Sequence, residues 1–260
     1  MTDPRGVRLE RDGERAEIVL DRPAVLNAFD DAMVGAFHAV LDELDATPAR
    51  CVVVRGEGRA FSAGRDLSDA DPLHEDAHAI LAEVFNPMIR RLAVLGVPTI
   101  AAVHGACLGV GFGVAMACDL VVCAERSRIG SPFANIGCVL DSGGHAALVH
   151  RVGPHRALEL IYTGRLIDGH EAAAIGLVNR CVPDDDLLGE VRGLADAIAA
   201  GPTAAFARSK RLVRDLLDGA TLDEAMEAEA VAQGELAGTP DYVEGMTAFL
   251  EKRRPRFTGR

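Results

Sequence analysis

The chain has 260 residues, 49% of them apolar and 25% charged, with a formal net charge of −12. This balance belongs to a soluble globular protein, long enough for one large domain or a domain with a smaller appendage. It excludes wholesale disorder, and the negative total leaves no global attraction to nucleic acid or anionic membranes.

The first residues, "MTDPRGVRLERDGER", are charged and carry no apolar core of a secretory signal, so a cytoplasmic location is expected. Six cysteines stand singly, without C-x-x-C spacing, and read as buried thiols in a reducing compartment. "AEIVLD" (16–21) and "CVVVR" (51–55) predict strands, and "DDAMVGAFHAVLDELD" between them has helical apolar spacing. The pattern recurs with a helix over 77–95, a strand at 98–103, a helix over 110–118, and strands at "LVVCAE" and near Ile129. Such alternation argues for an α/β core with crossover connections. Leu92 to Cys118 contains no Asp, Glu, Lys or Arg, but Pro98, His104 and five glycines interrupt it. It reads as a buried strand, a glycine turn and a buried helix instead of a membrane span.

Beyond about Gly201 the sequence turns helical. "TAAFARSKRLVRDLLDG", "TLDEAMEAEAVAQGELAG" and "TPDYVEGMTAFLEKRR" are amphipathic, each opened by Thr or Pro and two closed by Gly. Two units are therefore expected: a core over 1–200 and a C-terminal helical region over 201–260.

Several familiar motifs fail. "HEDAH" (74–78) matches the H-E-x-x-H zinc pattern, but Leu81 and Val84 stand where the longer metzincin pattern needs glycine and histidine. A solvated helix start explains it, and no metal is expected. "GVGFGV" lacks the third glycine of a dinucleotide loop, no serine has glycine two positions before it, and no G-K-[ST] triplet occurs.

Two glycine-bearing loops remain, each placed after an expected strand: "FSAGRDL" (61–67) and "HGACLGVGFG" (104–113). Each could turn a backbone N–H inward, because glycine permits the conformation and leaves no Cβ in a ligand's way. Two such donors would form an oxyanion hole, the second reinforced by a helix N-terminus. Glycine loops joining strands to helices for purely structural reasons are the plain alternative. Further along, "SPFANIGCVLDSGG" (131–144) holds one charged side chain, Asp141. It is either a turn residue capping the helix that begins near Gly143 or a general base at an apolar wall.

"RPAVLNAF" (22–29), "FSAGRDL", "HGACLGVGFGVAMACDLVV" (104–122), "IGSPFANIGCVLDSGG" (129–144) and "TGRLIDGHEAAAIGLVNRCVP" (163–183) stand in the order and spacing of the crotonase, or enoyl-CoA hydratase/isomerase, superfamily. The chain resembles that superfamily along nearly its whole length, through "EGMTAFLEKR" (244–253). The resemblance implies a ClpP/crotonase-like α/β fold, a spiral of ββα units with a helical C-terminal trimerisation region, assembled as a homotrimer or hexamer. It implies an acyl-CoA thioester substrate, with coenzyme A as part of the substrate and no further cofactor. The thioester oxygen would sit between the backbone N–H groups of Arg65 and Val110. Substrate contacts are implied for Arg22, Ala24, Leu26, Ala63, Gly64, Asp66, Leu67, Gly109, Phe133, Phe249 and Lys252. Among these, Asp66 would order its loop, Phe133 would line the acyl pocket, and Phe249 and Lys252 would reach the nucleotide end. A solvated basic tail is the other reading of "EKRRPR".

The chain departs from the typical two-glutamate hydratases: Gly113 and Phe133 occupy the two glutamate positions. Asp141 falls where some isomerases of the superfamily carry an acid/base aspartate. The expected chemistry is therefore a double-bond shift by proton transfer through Asp141. Hydration using Asp141 with a water or with His145 is the alternative, and so is a non-catalytic acyl-CoA-binding role.

Overall fold

The computed structural model describes residues 6–68, 70–71 and 73–260; the first five residues of the charged N-terminal stretch lie outside them. The chain begins with β1 (Val7–Asp12) and β2 (Arg15–Leu20), an antiparallel pair, and passes through α1 (Asp31–Ala46) to β3 (Cys51–Gly56). A helical segment over 77–93 follows, made of α2 (Ala77–Ala79), a π-helical stretch Ile80–Phe85 and α3 (Asn86–Ala93). Next come β4 (Thr99–Val103), β5 (Ala106–Leu108), α4 (Val110–Ala117), β6 (Leu120–Ala124), β7 (Arg128–Gly130) and α5 (Gly144–Thr163). The chain continues through α6 (Gly169–Ala174), β8 (Arg180–Val182) and α7 (Leu187–Ala199). It ends in three helices, α8 (Thr203–Leu217), α9 (Leu222–Leu236) and α10 (Pro240–Leu250).

The main sheet has the order β1-β2-β3-β4-β6-β8, parallel except for its first pair. A second, thinner layer is built from β5 beside β7 and from single bridges Phe29↔Arg65, Ser62↔Cys107 and Ile129↔Ile167. Each turn of the chain thus lays one long strand in the main sheet and one short strand in the second layer, then crosses back by a helix. This is the expected ββα spiral.

The uninterrupted apolarity of 51–55 follows from burial on both faces. Val52 and Val54 enter the large core with α1, α3, α4 and α5, while Cys51 and Val53 enter a second core against Leu187, Val191, Ala195 and Ala199 of α7. Helix α7 and strands β1 and β8 have no counterpart in the expected elements. Four of the six residues of β1 are charged, yet it pairs because its charges are answered: Arg8 reaches Asp21 at 2.5 Å, Glu10 at 2.9 Å and Glu57 at 3.1 Å.

Two local expectations are corrected. Thr203 does not cap α8; its hydroxyl accepts a hydrogen bond from Arg50 Nε at 3.1 Å, while Arg50 Nη2 donates to the Gly201 carbonyl at 2.6 Å. These bonds and the Lys210–Asp119 ion pair (3.0 Å) fasten the helical C-terminal region to the core. The cysteines are not uniformly buried either. Cys138 is exposed and Cys181 half-buried, because the turn over 134–139 lies on the surface and β8 is an edge strand.

Candidate active site

The two glycine loops meet in the second layer. Phe61 and Ser62 donate backbone hydrogen bonds to His104 and Ala106 (2.8 and 2.9 Å), and Leu108 donates back to Ser62 at 3.0 Å. Gly64 has φ +100°, and a Cβ there would lie 3.0 Å from the Leu108 carbonyl oxygen and 3.6 Å from Gly109 Cα. Only a residue without a side chain lets the loops approach this closely.

The pairing with Phe29 decides where Arg65 aims its backbone. Phe29 donates to the Gly64 carbonyl and accepts from Asp66 N–H, both at 2.8 Å. In a parallel bridge these bonds come from the residues flanking Arg65, so its own N–H faces the opposite edge. Val110 is the first residue of α4, after Gly109 with φ +52°, and its N–H has no partner inside the helix. Among the described residues neither the Arg65 nor the Val110 N–H donates a hydrogen bond.

Asp141 joins this corner through its neighbour. Ser142 is buried in the left-handed region (φ 54°) and packs directly on Gly113, one helical turn beyond Val110. Asp141 Oδ1 is buried and has no hydrogen-bond partner among the described residues. Burial pushes its carboxyl above the ordinary aspartate range, while the Ser142 hydroxyl, the Arg65 guanidinium and His145 pull it back. The alternative role, capping α5, is not what its side chain does. The residue preceding α5 is Gly143, and no side chain caps that helix. His145 is solvent-exposed on the first turn of α5.

The Phe133 ring lies over the second loop, with its Cε1 and Cζ each 3.4 Å from where a Gly109 Cβ would stand. Ala63 and Leu26 are half-buried beside the loops, and Ala63 N–H donates to the Leu26 carbonyl at 2.9 Å. Ala24 and Leu67 are exposed. Arg22 is already engaged, with Asp30 at 2.9 Å and Asp66 at 3.2 Å, and Asp66 also accepts from Ser68 N–H at 3.1 Å. Phe249, on α10, and Lys252, just after it, are exposed, and the Lys252 side chain forms no ion pair among the described residues.

Sequence reasoning gives Glu75 of "HEDAH" no role beyond that of base in the rejected zinc pattern. Both its oxygens are held by Arg65, at 3.0 and 2.7 Å, and His74 bonds Asp71 at 2.8 Å. Nothing in the local spacing signals a pairing across ten residues of loop.

A spiral of ββα turns closed by a helical C-terminal region is the crotonase fold. Solved crotonase-fold enzymes share it: an enoyl-CoA hydratase subunit from Geobacillus kaustophilus is 36% identical with a TM-score of 0.89, covering 98% of each chain. The enoyl-CoA hydratase/isomerase family model matches residues 10–260, and the chain belongs to that family. It is 38% identical to a Rhodobacter capsulatus protein named "Probable enoyl-CoA hydratase" (98% of each chain). It is also 32% identical to a "Short-chain-enoyl-CoA hydratase" of Clostridium acetobutylicum (95% of each chain).

Proposed function

We propose that the protein is an enoyl-CoA isomerase, moving a double bond along an acyl-CoA by proton transfer through Asp141. One observation carries this reading: a half-buried carboxyl, neither capping a helix nor hydrogen-bonded at its buried Oδ1, beside two loops whose N–H groups at Arg65 and Val110 are unspent.

The thioester oxygen of a 3-enoyl-CoA would accept from both N–H groups. The Asp141 carboxylate takes a proton from C2, and the electron pair moves onto the carbonyl oxygen to form a dienolate. The two donors, with the positive end of α4 behind Val110, stabilise that charge as it develops. Protonated Asp141 then gives the proton to C4, and the electrons return to form the C2–C3 double bond. No atoms are gained or lost. Burial suits the task, since an aspartate with raised proton affinity is a stronger base.

Phe133 would face the acyl chain, and the contacts implied for Ala24, Leu26, Ala63, Gly64, Leu67 and Gly109 would surround the thioester. Asp66 and Arg22 would brace the first loop. The exposed apolar side chains of the C-terminal helices support assembly as a homo-oligomer, through which Phe249 and Lys252 could meet the nucleotide of a neighbour's substrate.

The relatives' names favour a second reading, addition of water to a 2-enoyl-CoA. It would need Asp141 to activate a water alone or with His145. Product analysis after incubation with trans-3-hexenoyl-CoA and with trans-2-hexenoyl-CoA separates the two. Asp141→Asn should abolish turnover while acyl-CoA still binds; turnover at the wild-type rate would overturn the assignment.

A further inference from the structure

Between the core and the C-terminal helices lies a cavity of about 750 Å³, within the size range of small-molecule sites. Its walls are mostly apolar, supplied by Ile89 of α3, Met116 of α4, Ala147 of α5, and Phe206 and Val213 of α8. Gly113 and Ser142, whose contact supports the Asp141 turn, line it as well.

One wall carries a cation without a counterion. Arg151, half-buried on α5, donates from Nη2 to the Met116 carbonyl at 2.9 Å and makes no other side-chain hydrogen bond or ion pair among the described residues. A guanidinium has further N–H donors to offer, and on Arg151 none of them is sealed away from accessible space. Burial lowers its proton affinity, and no carboxylate acts to restore it. Half-buried charges of this kind ordinarily find a partner.

The remaining charges on the lining do not supply one. Lys210 is spent on Asp119 at 3.0 Å and on the Val97 carbonyl at 3.2 Å. Arg214 donates from Nη1 to the Ala93 carbonyl at 2.6 Å, while His150 and Asp218 are exposed. With His150 neutral, three cations stand against two carboxylates around this space, a surplus that one monoanion neutralises.

We propose that the cavity binds the carboxylate end of an aliphatic chain, the Arg151 guanidinium gripping the carboxylate and the apolar walls holding the chain. The planar fork of an arginine matches a carboxylate with two parallel hydrogen bonds. Asp119 and Asp218 oppose the second charge of a phosphate dianion, and apolar walls give a bare inorganic ion nothing to hold. The inference stands on the cavity and on Arg151, and does not use the isomerase reading.

Calorimetric titration with octanoate and with octanamide, which keeps the chain and lacks the charge, tests this. Octanoate should bind at one site, about 10- to 100-fold more tightly than octanamide, since hydrogen bonds to a charged group carry that difference. Arg151→Met should remove this preference and leave octanamide binding unchanged. Val213→Trp, at an exposed position on the cavity wall, should weaken both ligands. Equal affinity of the two ligands for wild type, octanoate affinity unmoved by Arg151→Met, both affinities unmoved by Val213→Trp, or no octanoate binding at millimolar concentration would each overturn the proposal. Titration of hexanoyl-CoA into protein saturated with octanoate identifies the source of the chain. Competition makes the carboxylate the far end of an acyl group whose thioester lies on the glycine loops; independent binding makes it a free aliphatic acid. These measurements require no turnover, so failure of the isomerase reading, seen as activity surviving in Asp141→Asn, leaves them intact.

Discussion

Ser142 sits so tightly on Gly113 that a Cβ at residue 113 would lie 2.6 Å from the Ser142 Cβ and 2.6 Å from its carbonyl oxygen. The resemblance puts the first glutamate of a two-glutamate hydratase at this position, and the turn that carries Asp141 occupies the space its Cβ would need, so a side chain at 113 requires that turn to shift.

Gly113→Glu is therefore expected to fail as a route to hydratase activity. Overpacking of this kind typically costs about 1–3 kcal/mol, and the turn that yields is the one carrying Asp141. Lower Tm, loss of isomerisation and no hydration product from trans-2-hexenoyl-CoA are the expected results. A stable variant with new hydration activity would show that the turn can move aside.

Replacing Val110 by proline tests the second N–H donor alone. Val110 is the first residue of α4, a position where proline is tolerated because its missing N–H breaks no helical bond. Loss of one oxyanion donor should reduce kcat by about 10²–10³-fold, or roughly 2.7–4 kcal/mol of barrier. Circular dichroism should stay close to wild type. A kcat within a factor of two of wild type would remove Val110 from the mechanism.

These sites differ in how far the sequence revealed them. The glycine loops were legible because strand, turn and helix follow one another locally, and glycines mark where chains come close. Asp141 stood out because it is the sole charge in a fourteen-residue stretch, but whether it caps α5 depended on the backbone at Gly143. The Arg65–Glu75 fork and the Gly113–Ser142 contact join segments whose relation is set only by tertiary packing. β1 was hidden because its charges are neutralised by residues far along the chain, which propensity cannot report. α7 carries a helical signal of its own, with Leu187, Val191, Leu194 and Ile198 at helical spacing.

The C-terminal helices carry large apolar side chains in water, with Leu222, Phe249 and Leu250 each about three-quarters exposed (74%, 78% and 76%). Contiguous exposed apolar surface is normally covered by a partner, and the resemblance to crotonases makes other copies of this chain the expected one. Light scattering should give three or six times the 27.4 kDa chain mass. Phe249→Glu combined with Leu250→Glu should shift the protein towards smaller species. A wild-type monomer at micromolar concentration would contradict this.

Acid sensitivity should trace largely to Glu17. Its carboxylate is buried and meets Arg55 Nε at 2.7 Å, Arg192 Nε at 2.7 Å and Arg15 Nε at 3.3 Å. Burial alone would raise its proton affinity, but the hydrogen bonds from Arg192 and Arg55 outweigh it and hold the group at about 2, against 4.5 for a free glutamate. A depressed native value means that the unfolded chain binds the proton more readily. The stabilisation is thus complete above about pH 5 and drains away as pH falls from 4.5 towards 2. Glu17→Gln leaves three guanidinium groups without their shared anion, and breaking a buried pair from one side costs about 3–5 kcal/mol. At pH 7 its Tm should lie well below that of wild type, and the gap should narrow progressively between pH 4.5 and pH 2 as wild-type Glu17 protonates. Parallel Tm–pH curves for the two proteins would show that acid unfolding is governed by other carboxylates.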